Sequence, residues 1–228
     1  MPQPLAPLKD FIQEVTRRLE QSSNEDFLLE QIKPLLQKLI ETDAWLPASC
    51  AQPHPLFYRQ YLLHCDPLER FSVVSFVWGI GQKTPIHDHK VWGLIGMLRG
   101  AESCQSYAED DQGLVHPVGT PYRLEPGDID VVSPHRGDVH TVANAMADRP
   151  SISIHIYGAN IGAVERHVYL PAESALSNPQ EAKRAFVSGY SLPTVPNLWG
   201  RSEKAEIAKH RQWQAGLHLG HPTHRVGS

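Results

Sequence analysis

Apolar positions divide the chain first. Leu8, Phe11, Ile12, Val15 and Leu19 recur at helical spacing, which lines them up on one stripe, so residues 8–20 are predicted to form an amphipathic helix. Ser22-Ser23-Asn24 breaks that run and offers a cap for the next helix. Phe27 to Ile40 repeats the spacing through Leu28, Ile32, Leu35, Leu36 and Leu39. Pro34 is expected to kink or split this second helix, because it lacks an N–H and crowds the preceding turn. Both stripes read as core faces of the chain's own domain.

From about residue 54 the pattern changes to short segments rich in aromatic and β-branched residues. Leu56 to Leu63 and Phe71 to Trp78 are predicted strands with an Asp66-Pro67 turn between them. Val91 to Leu98, Ala101 to Tyr107, Val115 to Leu124, Ile129 to Ser133, Val139 to Ala143 and Ile152 to Tyr157 continue the series. Gly and Pro punctuate the gaps, as in Glu125-Pro126-Gly127-Asp128. Many short strands between turns argue for a mainly β sandwich or small barrel. After Tyr169 the chain is expected to be helical or irregular. Asn178 and Pro179 read as an N-cap followed by proline at the first helical position, with Gly189 to end that helix. Leu192 to Gly200 reads as a connector, and Ser202 to Gln214 as a last helix. No boundary demands a second domain. The expectation is one domain over 1–228, with a helical extension at 1–50, a β-barrel core at 51–170 and a C-terminal extension at 171–228 that wraps the barrel.

Composition narrows the class. A chain of 228 residues with ordinary apolar content can bury a sizeable core. The net charge of −4 carries no nucleic-acid footprint. Cys50, Cys65 and Cys104 make an odd, sparse set that fits a reducing cytosol better than a disulfide framework. Asp10 and Glu14 interrupt the N-terminal apolar residues, so that segment reads as neither signal peptide nor membrane span. The expected location is cytoplasmic, with no nucleic-acid or membrane partner; oligomeric state is left open. His218, His221 and His224 read as a solvated tail.

The chemistry centres on Pro85-Ile86-His87-Asp88-His89-Lys90-Val91-Trp92-Gly93. In an extended strand His87 and His89 share a face, which makes half of a metal site. A third ligand must come from elsewhere, and His140, in Gly137-Asp138-Val139-His140-Thr141-Val142-Ala143-Asn144, is the best candidate. On its own an HxH pair is equally consistent with surface or core histidines. Asp88 points to the opposite face and reads as structural, while His135 and Asp138 are placed to support the ligands. A second constellation is Ser151-Ile152-Ser153-Ile154-His155-Ile156-Tyr157. Strict alternation puts three isoleucines on a greasy face and Ser153, His155 and Tyr157 on a polar one. A polar face inside a barrel is costly unless its groups bond one another or a ligand. The competing reading is a strand with an ordinary wet face.

Gly81, His87, His89, Gly93 and Gly100, then Gly127, Pro134, Gly137, His140 and Asn144, resemble the two cupin motifs. Two departures stand out: Gly93 takes the place of the usual glutamate ligand, and the second motif has an extra residue on each side of Pro134. With the Ser153/His155/Tyr157 strand added, residues 55–170 resemble the thiol dioxygenases of the cysteine dioxygenase family. That resemblance implies a cupin barrel holding Fe(II) on His87, His89 and His140, where a small thiol and O2 meet and both oxygen atoms end on sulfur as a sulfinate. It implies that Tyr157 contacts the substrates, steered by His155 and Ser153. Gly93 excludes the cysteine–tyrosine crosslink of mammalian cysteine dioxygenases, and Gly158-Ala159 replaces their Ser-Pro. The sequence is more similar to the bacterial 3-mercaptopropionate dioxygenases, in which a glutamine and a downstream arginine hold the substrate carboxylate. Gln60 and Arg166 fit those two positions, with 3-mercaptopropionate the implied substrate and cysteine or cysteamine poorer ones. Arg59 and Arg99 are alternatives for the carboxylate, and Glu165-Arg166 could be only a surface ion pair. Beside this reading stand a cysteine dioxygenase, a different metal-dependent cupin enzyme, and a non-catalytic cupin that binds a small acid.

Overall fold

The computed structural model describes residues 5–193. The helix expected at 202–214 and the histidine tail lie outside the described residues. Helix α1 spans Ala6–Gln21 and α2 spans Glu25–Ile40. Asn24 caps α2, its side-chain oxygen accepting the Phe27 N–H at 2.9 Å. Pro34 does not split α2, which runs uninterrupted through it. Pro34 and Glu30 are both exposed, so the Glu30 carbonyl that loses its N–H partner is on the solvent side of the helix rather than in the core.

Eleven strands follow: β1 Arg59–Cys65, β2 Ser72–Trp78, β3 Ile86–His87, β4 Gly93–Arg99, β5 Glu102–Glu109, β6 Val115–Leu124, β7 Ile129–Val132, β8 Val139–Asn144, β9 Ser151–Tyr157, β10 Arg166–Tyr169 and β11 Lys183–Phe186. They pair antiparallel into a five-stranded sheet, β1-β2-β9-β4-β7, and a six-stranded sheet, β11-β10-β3-β8-β5-β6. The result is mainly β, two antiparallel sheets in the arrangement of a double-stranded β-helix with helices at its N-terminal side.

Alternation along the strands builds two cores. Val73, Val77, Leu94, Leu98, Ile152, Ile154 and Ile156 face away from the barrel and pack against Leu8, Ile12, Leu28, Ile32 and Leu36 of the helices. Each such fully buried aliphatic chain contributes about 1.5–3 kcal/mol. The opposite faces point inward: Leu62, Val74, Phe76, Trp78, Ile95 and Met97 from one sheet meet Cys104, Leu124 and Val142 from the other.

After Tyr169 the expectation of helical or irregular chain holds in part: a short helix, α3, spans Ala172–Ser177. Pro179–Glu181 forms only a 3-10 turn, and Asn178 makes no side-chain cap. The helix expected to reach Gly189 is absent; β11 pairs instead with β10 through Arg166↔Phe186 to Tyr169↔Lys183. Neither strand shows a long apolar alternation, because their pairing on an existing sheet edge outweighs local preference. Among the described residues no helix is long and apolar enough to cross a membrane.

Candidate metal centre

Three imidazoles converge inside the barrel. His87 and His140 are directly paired across β3 and β8. His89 lies just past β3, in a turn where Lys90 adopts a left-handed φ of 64°. The side chain of Asp138 holds that turn, accepting from the His89 and Lys90 backbone N–H groups at 2.9–3.0 Å. The ring centroids of His87, His89 and His140 are 4.8–4.9 Å apart, and their nearest nitrogen donors lie within 4.8 Å of one another. All three rings are buried, and among the described residues no carboxylate joins the group.

The surroundings suit metal coordination. His87 Nδ1 is 3.1 Å from the Pro85 carbonyl, and His89 Nδ1 is 3.0 Å from Asp138 Oδ1. Donating those protons leaves Nε2 of each ring as a lone-pair donor toward the centre. Burial, reinforced by the neighbouring imidazoles, holds His87 well below the ordinary histidine range and His140 at about 3. Both rings are therefore neutral at neutral pH, the state a metal requires. Burial opposes the Asp138 charge, yet its hydrogen bonds with His89 keep it ionised below the usual range. The donor set therefore fits a divalent first-row metal, retaining its full charge with open coordination positions.

The polar face of β9 forms one hydrogen-bonded line. Ser153 Oγ is 2.7 Å from His155 Nε2, and His155 Nδ1 is 2.8 Å from the Tyr157 hydroxyl. All three residues are buried. The Tyr157 ring stacks on His89 at 5.5 Å, so the line ends beside the imidazole triad. Phe76 stacks on His155 at 4.1 Å and fixes its plane. The wet-face reading of this strand is thereby excluded.

Arg166 is buried rather than part of a surface pair with Glu165. Its guanidinium lies 4.7 Å from the centre of the Phe186 ring, and among the described residues it makes no ion pair and its Nε has no partner. Its charge bears on His87, His140, His155 and Tyr157, which places it in the field of the same site. Burying a cation without an anionic partner is costly. The two alternative arginines lie elsewhere. Arg99 pairs with Asp43 at the surface, 2.6 Å away. Arg59 sits opposite Val77, whose side chain faces the helices. Gln60 sits opposite Phe76 and in the same cross-strand row as Ser153, so it shares their inward face.

Asp88 accepts hydrogen bonds from the His167 N–H and the Tyr169 hydroxyl at 2.7 and 2.8 Å and pairs with Lys90, the structural role read from its alternation. His135 does not support the ligands; it is exposed, on a turn near Glu25. Two inward residues escaped the sequence reading. Tyr58 precedes β1 and stacks near Phe76 and Trp78, its ionisation opposed by burial and favoured by Arg166. Glu102 is a fully buried carboxyl two residues from inward-facing Cys104. Alternation with Cys104 was the available signal for Glu102; nothing local marked Tyr58.

No family model matches the chain. Solved structures similar to it include an uncharacterized conserved protein with a double-stranded β-helix domain from Klebsiella pneumoniae, at 20% identity over 49% of this chain and 86% of that one, with a TM-score of 0.37. A cupin superfamily protein from Desulfitobacterium hafniense shares 16% identity over 50% and 90% of the two chains, with a TM-score of 0.37. A cupin 2 conserved barrel domain protein from Rhodopseudomonas palustris shares 15% over 57% and 79%, with a TM-score of 0.39. By its own strand order the protein has a double-stranded β-helix fold of the cupin type, and its interior holds a three-histidine cluster able to take a metal.

Proposed function

We propose that this protein is a mononuclear non-haem iron thiol dioxygenase that converts a small carboxylated thiol, 3-mercaptopropionate by preference, and O2 into the sulfinic acid. The observation that carries the reading is the Ser153–His155–Tyr157 line ending against an all-imidazole cluster, with an unpaired buried arginine bearing on both. A passive acid-binding cupin would need neither the imidazole cluster nor the relay. His87, His89 and His140 would hold the ferrous ion, which when bound supplies a redox-active centre where thiolate sulfur and O2 are brought together. The balance is RSH + O2 → RSO2H, with no further reductant.

The chain's own residues bind and orient. Arg166 presents a planar fork to the substrate carboxylate, in a setting where burial strengthens the pair. Gln60 offers an uncharged amide from the facing sheet. Phe76, Trp78, Ile95 and Met97 exclude water from the interior. The Tyr157 hydroxyl, pushed up by burial, stays protonated and can donate one hydrogen bond toward the reacting atoms. Asp88 and Asp138 are both committed to partners, so neither is free to hold an α-ammonium group. The buried carboxyl of Glu102 lies against Ser153 and Trp78 rather than beside the triad, so the site favours a thiol without an ammonium group over cysteine.

Anaerobic Fe(II) reconstitution tests the reading, followed by O2 uptake and sulfinate formation with 3-mercaptopropionate, cysteine and cysteamine in parallel. Stoichiometric O2 consumption, greatest with 3-mercaptopropionate, is expected. Protein that holds zinc or nickel and consumes no O2 with any thiol sinks it.

A further inference from the structure

The buried carboxyl of Glu102 has no role in the site as described. It lies on β5 opposite Asn144 of β8 and Leu124 of β6, is 0% exposed, and among the described residues neither oxygen meets a partner in hydrogen-bonding geometry. The polar groups facing it are the Ser153 hydroxyl and the Trp78 indole N–H, which moderate its charge. The indole nitrogen is itself 3.5 Å from Ser153 Oγ. Glu102 therefore stands at the inner end of the line whose outer end is Tyr157.

We propose that Glu102 is a positioning residue: its neutral carboxyl heads a four-member chain, Glu102–Ser153–His155–Tyr157, and sets the direction in which every hydrogen bond of that chain points. The inference rests on the thiol dioxygenase reading only for its catalytic consequence. With Glu102 protonated, its O–H donates to Ser153 Oγ. The Ser153 hydroxyl then donates to His155 Nε2, and His155 Nδ1–H donates to the Tyr157 oxygen. The Tyr157 proton is left free to point at the imidazole triad. With Glu102 ionised, the Ser153 hydroxyl turns to the carboxylate. His155 takes the Nε2–H tautomer to satisfy Ser153, and Nδ1 accepts the Tyr157 proton, which now points away from the metal centre. The two states differ by one proton, lost to solvent from the Glu102 end.

Physical chemistry favours the neutral head at low pH. A carboxylate with no counter-ion and only a hydroxyl and an indole N–H to moderate its charge is disfavoured in a low-dielectric interior. The groups that bear on Glu102 give it no positive charge: Asp130 of β7 repels it, Cys104 on its own strand is a neutral thiol raised by burial, and the Tyr122 hydroxyl of β6 is spent on Asp130. Tyr157 of β9 is neutral, and His155, between it and Ser153, is kept neutral by burial. Burial accordingly moves the Glu102 carboxyl up to about 7.

The test is the ¹⁵N NMR signature of the His155 ring in the metal-free protein, read at about pH 6 and about pH 9, either side of the raised carboxyl. The wild type is expected to pass from the Nδ1–H to the Nε2–H tautomer across that range. Glu102→Gln, whose amide donates at every pH, is expected to keep Nδ1–H at both values. Glu102→Met, which has no proton to give, is expected to show a mixed, pH-independent signal. In the iron-loaded enzyme kcat is expected to fall as pH rises past the raised Glu102 carboxyl, to lose that fall in Glu102→Gln, and to drop roughly tenfold in Glu102→Met. A wild-type tautomer unchanged between the two pH values overturns the proposal, as does a pH-dependent tautomer surviving in Glu102→Gln. Because the NMR measurement needs neither iron nor thiol, it decides the role of Glu102 even if the substrate reading fails.

Discussion

Gly93 and Tyr157 sit opposite each other on β4 and β9, and a Cβ at position 93 would come within 2.7 Å of the tyrosine ring and 2.9 Å of Val132. The absent side chain is what lets the ring lie flat against the strand and stack on His89. It also removes the acidic ligand that the first cupin motif would otherwise supply, leaving an all-imidazole donor set.

Gly93→Ala should therefore displace Tyr157 without touching the three histidines. Metal content is expected to stay at one per chain while kcat falls about a hundredfold, the scale of an ångström-level misplacement. Steady-state kinetics beside metal analysis check this; an unchanged kcat would mean that the position of the Tyr157 ring is immaterial.

Arg166→Ala should raise KM for 3-mercaptopropionate by roughly a hundredfold, the scale of losing a buried charge-assisted pair. Cysteamine, which lacks a carboxylate, should be nearly indifferent to the change. Equal effects on both thiols would strip Arg166 of its assigned task.

Asp138→Ala removes the acceptor of the His89 and Lys90 N–H groups and of the His89 ring. The turn carrying His89 then loses its tether, and metal affinity should drop about 10–100-fold. Competition with a metal-binding dye measures it. Retention of wild-type affinity would show that β3 alone sets the His89 geometry.

His64 gives the protein a pH-dependent weakness away from the centre. Burial lowers it to about 4 in the folded state, against about 6.5 in the unfolded chain. Below 6.5 the unfolded state binds more protons, so the stability present above that pH is lost progressively as pH falls toward 4. Urea midpoints should decline across this window, and decline less steeply in His64→Gln, the remaining slope coming from the buried His87, His140 and His155. A wild-type midpoint constant from neutrality to about pH 4 would contradict the sign.

Local signals placed much of this molecule, for reasons visible in particular residues. The alternation at 151–157 reports on itself: a period of two fixes which side chains share a face, and isoleucine against Ser, His and Tyr says which face is greasy. The helical stripes at the N-terminus were legible for the same reason. Strand ends moved by a few residues, as between Leu56 and Arg59, because pairing partners rather than propensity end a strand. Pro34 did not split α2, since the carbonyl it frees lies on an exposed face. Strands β10 and β11 were invisible, because their stability comes from the sheet edge they join.

The amino-acid sequence by itself determined the donor types, the spacing of the relay and the absence of an acidic ligand at position 93, because these are properties of neighbours in the chain. Only the tertiary structure decided that His140 meets His87, that Arg166 is buried without a counter-ion, and that Glu102 stands behind Ser153. Each of those depends on strands distant in sequence being brought into register by the barrel, and burial, which tunes every one of these groups, exists only after that closure.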